Sequence, residues 1–247
     1  MSIQSIQRTS FSQHIMKRLT LGLLAAIGVA STSQIQAVIF NFANGTEGWT
    51  AAILVPNDNV NNPFVHSGGV WSTAGNEDFP STPLGTEITL TSGAISISTT
   101  GSYEITINHS YHFENTLDGG ILEYNINGGA WSQSNLTFTQ NGYNDTISNG
   151  GAPIGNTLNN LSAWTGGNGS ALVSKATLTG LNSGDSLQLR FRGGWDYSEI
   201  GGTPDWSISQ VEVAVAVPEP HEYAMVAGVG LLGFAVFRRI RARKSAV

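Results

Sequence analysis

The sequence predicts an all-β fold: a two-layer antiparallel β-sandwich with jelly-roll character, flanked by an N-terminal signal peptide and one C-terminal transmembrane helix. Three observations predict it. From Tyr103 to Glu114, apolar Tyr103, Ile105, Ile107, His109, Tyr111 and Phe113 alternate with Glu104, Thr106, Asn108, Ser110, His112 and Glu114, the period of a half-buried strand. Short β-rich runs recur between clusters of Gly, Asn, Ser and Thr, giving about nine or ten strands. Between the leader and Tyr223 no stretch carries a helical apolar stripe.

Taken in order, Lys17 and Arg18 precede the apolar segment Leu19 to Ala30, the charged-then-apolar order of a secretory signal peptide read by a translocon. Cleavage after Ala37 leaves residues 1–37 as the signal and lets Val38–Phe42 begin the mature chain as a strand. Ala30 is a second cleavage point, and Met16 an alternative start. Further strands are expected at Gly48–Leu54, Ile88–Leu90, Ala94–Thr99, Tyr103–Glu114, Ile121–Ile126, Ala171–Leu178, Ser186–Arg192 and Trp206–Val215. Asn127-Gly128-Gly129 before Trp131 signals a hairpin. Residues 141–169 form a long Asn/Gly/Ser/Thr-rich connection, and Gly150-Gly151 and Pro153 argue against a strand at its centre.

Residues 38–216 suffice for one domain with a substantial core. The chain has no cysteine, so packing or a metal must replace disulfides in an oxidising compartment. Only Lys175, Arg190 and Arg192 are basic between Val38 and Val217, against fifteen acids, a net charge of −12. That excludes nucleic acid and favours cations or neutral glycans.

The tail, residues 217–247, has three parts. Pro218 and Pro220 in Val217-Pro218-Glu219-Pro220 force an extended exit from the domain. Tyr223 to Phe237 is uncharged and would rise about 22 Å as a helix, short of the ~30 Å hydrocarbon core. Arg238, Arg239, Arg241, Arg243 and Lys244 then form a basic plug that would stay cytoplasmic. The layout closely resembles the PEP-CTERM sorting tails of bacteria. The resemblance covers about thirty residues and implies that an exosortase-type membrane protease recognises residues 217–220 and removes the helix. It implies export through the inner membrane, transient anchoring, and release to the cell surface or an exopolysaccharide-rich matrix. A plain single-pass anchor is the alternative.

A second resemblance spans most of the ectodomain. Phe42 to Trp49, Glu114, Asp118-Gly119-Gly120-Ile121-Leu122-Glu123-Tyr124 to Trp131, Leu187 to Arg192 and Trp206-Ser207-Ile208 look like the jelly-roll accessory domains of secreted bacterial proteases. It implies interaction rather than chemistry. Ser209-Gln210 stands where that family commonly has an acidic pair, which removes the calcium ligands the pair would supply.

Glu114, Asp118 and Glu123 cluster around one loop and strand as oxygen ligands suited to calcium, and solvated loop acids are the other reading. His109 and His112 fall on opposite faces of an alternating strand and do not share a metal. Neither a Gly-x-Ser-x-Gly elbow nor a His-Glu-x-x-His motif is present, so no enzyme is expected. A secreted glycan-active hydrolase, its carboxylates brought together by folding, is the competing class. Trp49, Trp131 and Trp206 are expected between the sheets. Trp164, Trp195 and Trp71, in glycine-rich surroundings, are expected to be exposed for stacking on an extracellular polysaccharide.

Overall fold

The computed structural model describes residues 37–56, 62–74, 85–148, 155–167, 169–196, 202–216 and 220–244. Contacts separate residues 1–35 from a second unit, Gln36–Val247, which holds all of the described residues. The first, with all of the expected signal peptide before Ala37, lies outside the described residues, as do Val217, Pro218 and Glu219.

The described strands are β1 (Ala37–Asn41), β2 (Thr50–Val55), β3 (Val65–Ser67), β4 (Val70–Thr73), β5 (Thr86–Thr91), β6 (Ile95–Ser96) and β7 (Gly101–Tyr111). They continue with β8 (Gly119–Ile126), β9 (Leu136–Gln140), β10 (Asp145–Thr146), β11 (Ser162–Ala163), β12 (Leu172–Leu181), β13 (Ser186–Trp195) and β14 (Trp206–Val215), and helix α1 (Pro220–Lys244) follows. One sheet runs β3-β4-β14-β7-β12-β9, with β1 also on β14. Trp206–Ile208 pair with β4 and Gln210–Ala214 with β1, so β4 and β1 lie end to end along one edge of β14. In the second sheet β2, β5 and β13 are neighbours, and β6 and β8 also pair with β13. Every pairing is antiparallel.

The alternation of β7 sets the inner face of the first sheet. Tyr103, Ile105, Ile107 and His109 are buried. On the other parity Glu104 reaches across to Lys175 of β12 at 2.8 Å. Ile208, Val211 and Val213 of β14 join the same core as Leu187, Leu189 and Phe191 of β13 and Leu122 of β8. The change of parity along β14 falls at Ser209, where a bulge shifts the register against β7. Two-layer packing therefore follows from the alternating strands.

The β8/β13 pair departs from simple alternation because four glycines meet in register, Gly120 opposite Gly193 and Gly119 opposite Gly194. A Cβ on Gly120 would collide with the Trp206 ring, and one on Gly193 with the Trp195 ring. A Cβ on Gly119 would lie 2.7 Å from Ile147 Cδ1, and one on Gly194 2.8 Å from Leu158 Cγ. Bare backbone at this end of the sheet thus admits indoles on one side and the connection 141–167 on the other.

That connection is more structured than expected. β10 and β11 pair within it, and Ile147, Leu158 and Ala163 bury a second small core with Ile121. The hairpin signal is met only in part. Asn127 and Gly128 take φ of 56° and 71°, and Gly129 N–H donates to Ile126 O at 3.0 Å, as a tight turn requires. The returning chain bridges β8 only at Ser132 and then crosses to the other sheet as β9.

Helix α1 starts at Pro220, ahead of the expected Tyr223, and runs through the basic segment. Proline suits a first helical position because its missing N–H has no partner there anyway. The expected transmembrane span is corrected: among the described residues no helix is long and apolar enough to cross a membrane.

Candidate functional site

Two sets of polar side chains are built on the β8/β13 pair. Asp118 immediately precedes β8 and Asp196 immediately follows β13, so the Gly119–Gly194 register brings them together. Asp196 N–H donates to Asp118 Oδ1 at 2.8 Å. Glu114 lies across the turn that enters β8, where its carbonyl accepts from Asp118 N–H at 3.2 Å. Thr165 Oγ1 pins this turn: it donates to Asp118 O at 2.6 Å and accepts from Thr116 N–H at 2.8 Å. One carboxylate oxygen from each of Glu114, Asp118 and Asp196 lies within 4.8 Å of the others. Asp118 and Asp196 are buried, and Glu114 is half-buried. Burial, together with the charges of Asp196, Glu114 and Asp205, pushes the Asp118 carboxyl well above the usual carboxylate range.

Glu114 and Asp118, expected as partners, are thus brought together, and Asp196 joins them. Glu123 does not. It sits near the middle of β8, five residues and about 16 Å along the strand from Asp118. There it accepts from Arg190 at 2.6 Å and from Arg192 at 3.3 Å. Arg192 also forks onto Glu87 at 2.6 and 2.9 Å. Such bidentate guanidinium pairs fix geometry as well as charge.

These pairs form the outer face of the second sheet, with Gln188, Arg190 and Arg192 on β13, Asn125 and Glu123 on β8, and Glu87 on β5. Trp131, from the return of the hairpin, lies over Arg190 with 4.3 Å between the guanidinium carbon and the ring centroid. It is half-buried rather than packed between the sheets. Asn125 gives an amide N–H to Gln188 at 3.3 Å, while its own carbonyl oxygen is buried without a partner.

The other indoles correct the expectation of exposure. Trp164, Trp195 and Trp71 are 0, 1 and 6 % exposed. Trp195 donates to Asp205 at 2.7 Å, Trp164 donates to Asn141 O at 3.1 Å, and Trp71 packs on His66. Their neighbouring glycines make room for indoles in the core. His109 is a core residue as expected. It accepts from Trp206 Nε1 at Nδ1, 3.2 Å away, which leaves the proton on Nε2, 2.8 Å from Ser174 Oγ. Ser174 in turn donates to Asn141 O at 2.6 Å.

An open groove of about 610 Å³ lies beside β9, lined by Phe138, Gln140, Asn141, Tyr143, Asp145 and Ser162 among others. Asp145 is its one acid. Neither this groove nor the sheet face presents two facing carboxylates free of cations among the described residues. A glycosidase needs such a pair across a cleft.

The fold and these two sites define an antiparallel β-sandwich with a polar sheet face and a buried acid cluster. No family model and no curated protein matches the chain. Among solved structures it is similar to a xylan-binding module CBM15, with 12% identity, 75% of this chain and 99% of that one covered, and a TM-score of 0.34. A family 35 carbohydrate binding module from Clostridium thermocellum matches at 15% identity over 73% and 99%, with a TM-score of 0.26. The K3 cleaved adhesin domain of Lys-gingipain from Porphyromonas gingivalis matches at 13% over 72% and 98%, with a TM-score of 0.34.

Proposed function

We propose that this is an exported, non-enzymatic bacterial surface protein whose sandwich, of jelly-roll character, binds a matrix polysaccharide on the outer face of the second sheet. The observation that carries the reading is Trp131 held over Arg190 beside Asn125, whose buried carbonyl oxygen has no partner. Half-buried Trp131 next to half-buried Gln188, Arg190 and Arg192, which the buried Glu87, Glu123 and Asn125 hold in place, offers a sugar both an apolar surface and directed hydrogen bonds. The excess of acids over bases in the ectodomain favours a neutral glycan over a polyanion.

The test is affinity electrophoresis of the purified chain through gels containing soluble neutral polysaccharides such as β-glucans and mannans. Retardation is expected, and Trp131→Ala should abolish it with little change in melting temperature. Retardation unaffected by both Trp131→Ala and Asn125→Ala, or absent with every glycan, would refute this face.

The tail directs sorting in this reading: the chain passes the translocon, and an exosortase-type protease recognises the tail and cuts at Val217-Pro218-Glu219-Pro220. Supporting it, Val229, Leu231, Leu232, Phe234, Val236 and Phe237 of α1 are all exposed. At about 100° per residue they occupy the whole circumference, so α1 presents apolar side chains on every side for a protease to recognise. Intact mass of the surface-recovered protein tests this: an end near Pro220 supports sorting, and a retained basic segment would refute it.

A further inference from the structure

We propose that Glu114, Asp118 and Asp196 bind a calcium ion that fastens the glycine-rich end of the β8/β13 pair. The inference is independent of the polysaccharide reading. Calcium takes oxygen ligands at 2.3–2.6 Å, so oxygens on opposite sides of the ion stand about 4.6–5.2 Å apart and neighbouring ones closer. The three carboxylates offer one oxygen each within 4.8 Å of one another, which is the spread such a shell requires.

A cluster of acids alone would be unremarkable, but one oxygen here has nowhere else to turn. Asp118 is fully buried; its Oδ1 receives the Asp196 N–H, and its Oδ2 has no partner. A buried carboxylate oxygen without a donor is costly, and a cation is the group that satisfies it. The three Lys and Arg residues between Val38 and Val217 are committed elsewhere: Lys175 to Glu104, Arg190 to Glu123, and Arg192 to Glu87 and Glu123. Asp205 adds a further negative charge close to Asp118, and its oxygens receive Trp195 Nε1–H and Gly202 N–H. All-oxygen, multiply charged sites select hard divalent cations, and magnesium demands a tighter octahedron near 2.1 Å.

The consequence is mechanical. The ion would join the turn entering β8 to the end of β13, two segments 78 residues apart, in a chain with no disulfide to do so.

The test is calcium titration of the full chain after chelator treatment, by calorimetry and by thermal unfolding. Expected are one calcium per chain with a dissociation constant at or below about 10⁻³ M, and a raised melting temperature. Asp118→Asn keeps an oxygen to accept the Asp196 N–H, so it should fold, melt metal-free at or above the wild-type temperature, and lose the calcium response. Glu114→Gln, on the half-buried turn, should weaken binding about tenfold or more and decides the matter if Asp118→Asn does not fold. No uptake by the wild-type chain, unchanged affinity in Glu114→Gln, or equal stabilisation by magnesium would overturn the proposal.

Discussion

His109 is held neutral in the folded protein, its pKa lowered by burial from 6.5 to about 3. Around it stand Trp164, Trp206 and Tyr111, with Ser174 as hydrogen-bond partner and no charged group among the causes of the shift. Above pH 6.5 neither folded nor unfolded chain binds the proton, and the residue adds no pH dependence. Between 6.5 and about 3 only the unfolded chain takes it up, so stability falls as pH falls, by about 1.4 kcal/mol per unit once well below 6.5. With these two values the loss is about 2 kcal/mol at pH 5, a large part of a typical 5–15 kcal/mol. Other groups titrate in this range, Asp118 with the opposite sign, so a difference isolates the effect. Urea unfolding of the wild type and of His109→Gln should be compared between pH 7.5 and 4.5. The stability gap should shift in favour of the glutamine variant by about 2 kcal/mol between pH 7.5 and 5. A gap that does not move with pH would refute the burial of a neutral imidazole.

Two further perturbations probe the sheet itself. Gly120→Ala drives a methyl into the Trp206 ring and should cost about 1–3 kcal/mol by overpacking; a neutral or stabilising result in denaturant titration would mean that the indole is not seated beneath β8. Arg192→Ala strips Glu87 of the guanidinium that holds both its oxygens. It should cost about 3–5 kcal/mol, part of it recovered in the double variant with Glu87→Gln.

Legibility in the sequence followed the length and regularity of each strand. Trp206–Val215 has the expected bounds, and β7 and β13 start or end within a few residues of them, because ten or so alternating residues leave one choice of face. β3, β4, β10 and β11 are two to four residues long and carry no period to read. Glycine-flanked tryptophans mislead for a physical reason: glycine marks exposed turns and also marks slots for large rings, as the collision of a Cβ on Gly120 or Gly193 with an indole shows. Glu114 and Asp118 stood together in sequence, whereas Asp196 enters through long-range pairing. Its signal was present as a mirrored pattern, Asp118-Gly119-Gly120 against Gly193-Gly194-Trp195-Asp196.

The β8/β13 pair explains why one sheet can hold two different sites. An edge strand exposes unpaired backbone groups that invite association, and the free side of β8 is closed at three points. Gly120 exchanges backbone hydrogen bonds with Trp164, Leu122 with the Tyr143 hydroxyl, and Tyr124 with Ser132. Two of these three closures come from the connection after β9, which also lies over Gly119 and Gly194. Asn156 donates to Gly194 O and Leu117 O there. The covered, glycine-bearing end is where water is excluded and where Asp118 loses its solvation. Further along, the side chains lengthen to Glu123, Arg190 and Asn125, and Trp131 rests on Arg190. The proposed cation site at the sealed end and the proposed glycan face around Trp131 are therefore separable. The calcium variants should leave polysaccharide retardation intact, and Trp131→Ala should leave calcium uptake intact, provided each variant remains folded.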